Sequence, residues 1–210
     1  MPIRRRYRQV AENKLATFDA VNSATGIGHQ KLFAVTSGAA STVAGGILSP
    51  NATGSSVLFR TTTAGGLAFD LDWDLKYERT QILQGPLFGT YTFDLDNQSA
   101  RLDIHVIKVD SSGSETEIAF ASGSLLASGA AQRSARGSTV VELPKTAFKV
   151  GQTLRINTKY WVTASGQTTR LYMSGDNRFD TQFQDIDAGE ATDRNATDMF
   201  FLIPSKVDSI

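Results

Sequence analysis

The residues that could carry acid–base or nucleophilic chemistry are few in this chain. It has two histidines and no cysteine among 210 residues, which excludes disulfides, thiolate zinc sites and cysteine nucleophiles. His29 lies in a glycine-rich stretch, and His105 lies on the polar side of a predicted strand. Neither belongs to an H-E-x-x-H motif, and the chain has no G-x-S-x-G turn of the kind that presents many serine nucleophiles. We interpret both histidines as ordinary structural or surface residues, and the sequence does not predict an enzyme.

An acidic ladder suggests a calcium site at first sight. Asp70, Asp72 and Asp74 alternate with apolar residues. An EF-hand loop needs Gly at its sixth position and Glu at its twelfth, and counting from Asp70 these positions hold Leu75 and Gln81. Side chains two residues apart on a strand are also about 7 Å from each other, too far for all three carboxylates to share one ion. We interpret the ladder as the solvated face of a strand.

One metal alternative stays open at this stage. Asp94 and Asp96, on a strand beside the ladder, would complete a set of carboxylate ligands. No other cofactor is expected, because the chain has neither a Walker loop nor a G-x-G-x-x-G motif.

The strongest structural pattern is a period of two residues. Within Leu67–Tyr77 the odd positions are apolar and the even positions from Asp70 on are charged. This alternation is typical of a strand with one buried face and one solvent-exposed face. The pattern recurs in Thr90–Asp96, Arg101–Val109 and Leu154–Trp161. Further strands are predicted at Lys31–Thr36, Ser56–Thr62, Thr116–Ser122, Ser138–Leu143, Thr168–Met173 and Met199–Ile203.

Turn residues separate these segments. Asp110–Ser114 and Thr163–Gln167 predict hairpin loops, and Pro144–Phe148 predicts one helical turn. Roughly ten short strands without a long helical stripe indicate an all-β fold, an antiparallel jelly-roll-like β-sandwich. We expect an extended N-terminal arm over residues 1–30 and one sandwich domain over residues 31–210.

Charge and hydropathy limit the partners. Lys plus Arg and Asp plus Glu are both 21, so the formal net charge is zero. A balanced charge argues against nucleic acid as a partner, and no apolar run is long enough to predict a membrane span. The basic segment Arg4-Arg5-Arg6-Tyr7-Arg8 could contact phosphates, dock on an acidic neighbouring subunit, or be a solvated terminus.

The two tryptophans leave a binding role open. Trp73 and Trp161 lie on predicted strands. An aromatic ring on an exposed sheet face can stack on a sugar or enter a protein interface, whereas a ring on a covered face belongs to the core.

Two stretches carry a resemblance to a known family. Residues 104–118, with Asp110-Ser111-Ser112-Gly113-Ser114 between two strands, and residues 141–155 resemble small virion structural proteins of tailed bacteriophages. The opening Arg4–Arg8 and the ending Asp193–Asp208 are also similar to that family. The resemblance implies a jelly-roll sandwich and carries no catalytic residues.

The resemblance implies a non-enzymatic virion protein. It would decorate or cement the capsid, or be a minor head component, with other virion proteins and further copies of itself as partners and the virion as its location. Interface residues would be Arg4, Arg5, Arg6, Tyr7 and Arg8 with Phe200 and Phe201. The alternative is a carbohydrate-binding module of a head or tail fibre, and a hydrolase domain is a third hypothesis.

Overall fold

The computed structural model describes residues 16–17, 27–35, 45–50, 57–61, 65–95, 99–127, 133–163, 168–172 and 199–206. The regular secondary structure in these ranges consists of β-strands alone. The strands are β1 (Ala16–Thr17), β2 (Ile27–Val35), β3 (Gly45–Ser49), β4 (Val57–Thr61), β5 (Gly66–Lys76), β6 (Gln81–Leu95), β7 (Ser99–Val109), β8 (Glu115–Ser122), β9 (Leu126–Ala127), β10 (Arg133–Phe148), β11 (Thr153–Val162), β12 (Thr168–Tyr172) and β13 (Phe200–Lys206). These ranges contain no helix that could cross a membrane.

The period-two pattern explains why the central strands form and which side of each is buried. On β5, Leu71 and Trp73 are almost completely buried, while Asp70, Asp72 and Asp74 point to the other face. On β11, every second side chain from Leu154 to Val162 is buried. Burial of each large apolar side chain stabilises the fold by roughly 1.5–3 kcal/mol.

A β-bulge at Ala68 interrupts this pattern. Tyr160 of β11 pairs with Phe69, but the next residue, Trp161, pairs with Leu67, so the β5–β11 register passes over Ala68. The extra residue reverses the phase of the strand. Ala68 is therefore buried and Leu67 is 42% exposed, and the prediction that Leu67 faces the core is wrong.

The strands form one continuous, nearly closed sheet that folds into two facing layers. The first layer runs β8–β7–β11–β5, and the second runs β10–β6–β13–β2, with every pair antiparallel. β12 follows β13 along β6 and pairs with β4, β1 pairs with β2, and β9 pairs with β7. β10 lies beside β8, which brings the two ends of the sheet close together.

β3 joins the two layers. It is antiparallel to β2 and parallel to β5, so the sheet contains one parallel pair where the sequence predicts antiparallel pairing throughout. A Cβ atom on Gly45 would overlap the backbone of Asp72, and one on Gly46 would overlap the carbonyl oxygen of Val35. Only residues without a side chain allow β3 to lie this close to both neighbours.

The core lies between the layers. A Cβ on Gly89 of β6 would meet Ile104 of β7, which places these two strands face to face. In the part of the chain that the structure describes, twenty-three buried apolar side chains form one contiguous cluster between the layers, and its largest members are Trp73, Tyr91, Tyr160, Phe148 and Phe201.

A buried hydrogen-bond chain also crosses the core. The Tyr91 hydroxyl and the Thr139 hydroxyl share a 3.0 Å hydrogen bond, and Thr139 donates to the carbonyl oxygen of Leu102 at 3.4 Å. Burial raises the pKa of Tyr91, so the phenol stays neutral at ordinary pH. These hydrogen bonds link β6 and β10 of one layer to β7 of the other.

The structure confirms the predicted all-β, layered architecture, while jelly-roll connectivity stays a prediction. The predicted helical turn at Pro144–Phe148 is wrong, because these residues continue β10 through a register shift between Leu143 and Thr146. Such an irregularity accommodates Pro144, which has no N–H to donate. The predicted β11–β12 hairpin at Thr163–Gln167 is also wrong, because β12 pairs with β4 and β6.

The predicted arm and domain stay predictions. The division between residues 30 and 31 falls inside β2, and residues 1–15 lie outside the described residues.

The β7–β8 connection is a hairpin with a well-defined loop, as predicted. The Asp110 carboxylate accepts hydrogen bonds from the Ser112 N–H at 2.8 Å, the Ser112 hydroxyl at 2.6 Å and the Ser114 N–H at 2.9 Å. Gly113 has φ of 88°, a conformation that favours glycine. The Ser112 hydroxyl, and then the backbone N–H groups, hold the pKa of Asp110 below its ordinary value.

Gly46→Ala should lower the free energy of unfolding by roughly 1–3 kcal/mol, because the new methyl group must push β3 away from β2. Ile47→Val is the matched control on the same strand, since Ile47 is 59% exposed, and should change stability by less than about 0.5 kcal/mol. Urea unfolding followed by circular dichroism measures both. Equal stability of the two variants would contradict the close-approach explanation.

Asp110→Ala should destabilise the protein at pH 7, because the hairpin loop loses its acceptor. The lowered pKa of Asp110 means that its contribution is present above the ordinary carboxyl pKa and is lost as pH falls through the lowered value. The deficit of the variant relative to the wild type should therefore shrink in acid. Urea unfolding at pH 7 and at about pH 3 tests this, with Glu142→Ala on β10 as the control. A deficit that is independent of pH would rule out the carboxylate as its cause.

Candidate functional site

Within the described residues, the outer surface of the first layer carries a group of polar side chains that could do chemistry. We call it the charged face. Cross-strand register places these residues on it: Asp70, Asp72 and Asp74 of β5, Arg155, Asn157 and Lys159 of β11, Arg101, Asp103 and His105 of β7, and Glu115, Glu117 and Phe120 of β8.

Arg155 is the centre of the charged face. Its Nε and Nη2 donate to the two carboxylate oxygens of Asp74, each at 2.8 Å. Its Nη1 bonds to Glu115 and lies 3.4 Å from Asp72. Hydrogen bonds to Asp74 raise the pKa of Arg155, so the guanidinium stays charged. One cation thus holds three carboxylates from strands on both sides of it.

Asn157 holds the aspartates of the acidic ladder that Arg155 does not fully bind. Its side-chain amide donates to Asp70 and Asp72. Together, Arg155 and Asn157 bind every carboxylate of the ladder from the neighbouring strand. The solvated-face interpretation is therefore incomplete, because these aspartates are tied to β11.

The metal alternative does not fit the topology. β5 pairs with β11 and β3, whereas Asp94 lies on β6, paired with Ser134 and Arg170 in other strands. Asp96 lies outside the described residues. Within the described ranges, no three or more histidine or acidic residues are grouped so as to hold a metal ion.

His105 forms the one acid–base pair on the charged face that resembles catalytic machinery. Its Nδ1 lies 2.7 Å from a carboxylate oxygen of Glu117, and its ring lies 4.5 Å from that of Phe120. A carboxylate on Nδ1 orients a histidine and leaves Nε2 to exchange a proton, as in hydrolase triads. Among the described residues, no serine or threonine hydroxyl is bonded to His105 as a nucleophile would be.

The two tryptophans lie on opposite sides of the first layer. Trp73 is completely buried and donates from Nε1 to the Thr158 hydroxyl at 3.0 Å, so it cannot stack on a sugar. Trp161 lies half-buried on the charged face, with the Arg101 guanidinium 5.7 Å from its ring. Arg101 in turn pairs with Asp103 at 3.2 Å, so the cation beside the ring is itself held by a carboxylate of the same strand.

His29 has a structural role. It is buried on β2, its Nε2 lies 3.0 Å from the carbonyl oxygen of Pro86, and its ring contacts Phe88. This contact ties β2 to β6, as the sequence interpretation of a structural histidine expects.

Of the predicted interface residues, the structure describes Phe200 and Phe201. Phe201 is completely buried in its own chain, so its side chain is not available to a neighbouring subunit. Phe200 is half-buried, with the Lys31 ammonium 4.0 Å above its ring. The basic segment Arg4–Arg8 lies outside the described residues, and its interface role stays a prediction.

The sequence analysis missed the pairing of Arg155 with the acidic ladder and of His105 with Glu117. Both arise from strand register. Alternation could place these residues on a wet face, but it could not show which strands are neighbours.

No protein-family model and no curated protein matches the chain. Among solved structures, two crystal structures of a CocE/NonD family hydrolase from Staphylococcus aureus match with TM-scores of 0.53. They are 13% and 12% identical to this chain and cover 92% and 93% of it, but only 37% of the hydrolase chain. An α-amino acid ester hydrolase matches with a TM-score of 0.49 at 9% identity, over 83% of this chain and 36% of that one.

The chain therefore spans little more than a third of the length of the hydrolases that it matches. At this identity, the likeness shows a shared β fold.

The predicted function needs correction. The prediction of a non-enzymatic virion protein, whether capsid decoration, minor head protein or carbohydrate-binding module of a fibre, is contradicted by the likeness of the fold to two solved structures of a hydrolase. The prediction that the protein is not an enzyme is contradicted by the same finding. The resemblance of residues 104–118 and 141–155 to phage proteins, the virion location and the homo-oligomer stay predictions.

Arg155→Met should lower the free energy of unfolding by about 1–2 kcal/mol, because it leaves three neighbouring carboxylates without their cation. Lys159→Met removes the same charge from the same strand and face and is the matched control. The difference between the two variants should shrink as salt screens the carboxylate repulsion. Urea unfolding at low and high ionic strength measures it. Variants of equal stability at low salt would show that Arg155 is no more than a surface cation.

Proposed function

We propose that this protein is the β-sandwich part of a hydrolytic enzyme and works with a catalytic unit that supplies the nucleophile. The observation that carries the proposal is the asymmetry of the structural match. Nearly all of this chain, 92%, aligns with a CocE/NonD family hydrolase, while only 37% of the hydrolase aligns with this chain. A fold that forms one part of a hydrolase suits a module beside a catalytic unit.

The charged face supports a contact role for such a module. Its side chains are held in place by Arg155 and Asn157 on a sheet whose other side is a continuous core. A rigid, charged surface can fix the position of a catalytic unit with little loss of side-chain freedom on binding.

A second candidate is hydrolysis by this chain itself. The His105–Glu117 pair has the geometry of a histidine oriented by a carboxylate, and His105 could activate a water molecule as a general base. Phe120 beside it would provide an apolar contact for a substrate. This candidate needs no hydroxyl nucleophile from the protein.

Activity measurements on two preparations separate the candidates. Purified chain, wild type and His105→Ala, is assayed with p-nitrophenyl esters and aminoacyl p-nitroanilides. The tagged full chain is also isolated natively from the cells that produce it and assayed with the same substrates, with and without a fluorophosphonate, which blocks activated hydroxyl nucleophiles. We expect no turnover by the purified chain, and fluorophosphonate-sensitive turnover by the native preparation above a tag-only control.

Turnover by the purified wild type that is lost in His105→Ala would overturn the module proposal in favour of the second candidate. Glu117→Gln should then reduce kcat, because His105 loses the carboxylate that orients it. Absence of turnover in both preparations would contradict both candidates.

A further inference from the structure

One row of side chains at the end of the charged face is largely apolar. Leu67 of β5 pairs with Trp161 of β11, which in turn pairs with Arg101 of β7. Leu67 faces outward and is exposed because the bulge at Ala68 reverses the phase of β5 at this point. Bulges commonly re-aim a side chain in this way beside functional sites.

Leu125 extends the row beyond Arg101. Two positions before Leu125, a backbone N–H bonds to the carbonyl oxygen of Leu102, and the residue after it pairs with Ala100. Leu125 therefore lies beside Arg101, and it is 59% exposed. We define the Trp161 row as Leu67, Trp161, Arg101 and Leu125.

Buried polar atoms lie in and beside this row. Among the described residues, Trp161 Nε1, Arg101 Nε and Asp103 Oδ1 are buried and have no hydrogen-bond partner. Asp103 is only 5% exposed. Its Oδ1 lies 3.2 Å from Arg101 Nε without the geometry of a hydrogen bond, and its Oδ2 accepts a long one, 3.4 Å, from Arg101 Nη2. Because buried polar atoms are nearly always paired in native proteins, this group points to a further ligand.

Other polar groups of the charged face already have partners within the chain. Arg155 and Asn157 bind the aspartates of β5, and His105 pairs with Glu117. A partner that binds this face therefore gains most by binding at the Trp161 row.

The unpaired atoms define the chemistry of that partner. Trp161 Nε1 and Arg101 Nε each need an acceptor, whereas Asp103 Oδ1 needs a donor. An amide supplies both, a carbonyl oxygen and an N–H, and the exposed Leu67 and Leu125 suit apolar side chains on either side of it. Tryptophan and arginine are also the residues that most often dominate the energy of protein interfaces. The row thus fits a polypeptide loop.

We propose that the catalytic unit docks at the Trp161 row, through a loop that brings an amide to Trp161 and Asp103 and apolar side chains to Leu67 and Leu125. This inference rests on the proposed function, because it assigns the contact surface of the same module. The charged side chains around the row would form the polar rim of the interface. A second copy that docked face to face would bring two aspartate ladders together, and like charges oppose that alternative.

Site-specific crosslinking tests the docking surface on the full chain. The photoreactive residue p-benzoylphenylalanine replaces Leu125 in one preparation and Val150 in the matched control. Val150 is 65% exposed and precedes β11, at the opposite end of that strand from Trp161. Cells that produce the tagged chain are irradiated, and the crosslinked products are probed with a fluorescent fluorophosphonate. We expect a labelled product from position 125 and none from position 150.

Substitutions measure the two kinds of contact. Leu67→Ser with Leu125→Ser should lower the fluorophosphonate-labelled protein recovered per tagged chain by about tenfold or more, as truncation of interface anchors does. Trp161→Phe keeps a ring but removes the N–H, and should lower the recovery by about fivefold. Ile47→Ser with Val150→Ser changes two exposed apolar residues away from the row and should leave the recovery unchanged. Circular dichroism of every variant should retain the β spectrum.

The outcomes separate this inference from the proposed function. A labelled crosslink from position 125 alone, with reduced recovery in the row variants, supports docking at the Trp161 row. Labelled protein that the wild type recovers but that forms no crosslink from position 125, crosslinks equally from position 150, or is recovered equally by the row variants overturns the docking surface and leaves the proposed function standing. Absence of labelled protein from the wild-type preparation overturns both. A crosslinked product that consists of two copies of the chain assigns the row to self-association and overturns the docking of a catalytic unit there.

Discussion

The close approach of three backbones at β3 is the constraint on which the rest of the structure depends. β3 is the only strand among the described residues that pairs with both layers, through β2 on one side and β5 on the other. Gly45 and Gly46 make this possible because neither has a side chain to hold the neighbours apart. The position of β5 in turn fixes the register of β11, and that register brings the aspartates of one strand opposite Arg155 and Asn157.

The charged face is therefore a product of the core beneath it. Alternate residues of β5 and β11 are buried. Because side chains alternate along a strand, the residues between them lie together on the outer surface. Like charges on one strand repel, and the fold compensates by placing their partners on the next strand. Arg155 and Asn157 do this for Asp70, Asp72 and Asp74, which holds the side chains of this surface in defined positions for any partner.

Much of the fold was predictable from sequence, because alternation of apolar and polar residues has a direct physical cause. β5, β7, β8 and β11 were predicted within one or two residues of their observed bounds. β3 was missed because its two glycines give no period-two pattern. The bulge at Ala68 and the continuation of β10 through Pro144 were missed because both depend on a partner strand. Since the site consists of pairs such as His105 with Glu117, it could not be assembled without the register.

The two sides of the first layer give the two indole rings opposite surroundings. Trp73 lies in the apolar interior with its N–H bonded to Thr158, while Trp161 lies beneath the guanidinium of Arg101 at the outer surface. The intrinsic fluorescence of this chain is therefore the sum of two reporters separated by the thickness of one sheet. One emission responds to loosening of the interior, and the other to whatever displaces Arg101.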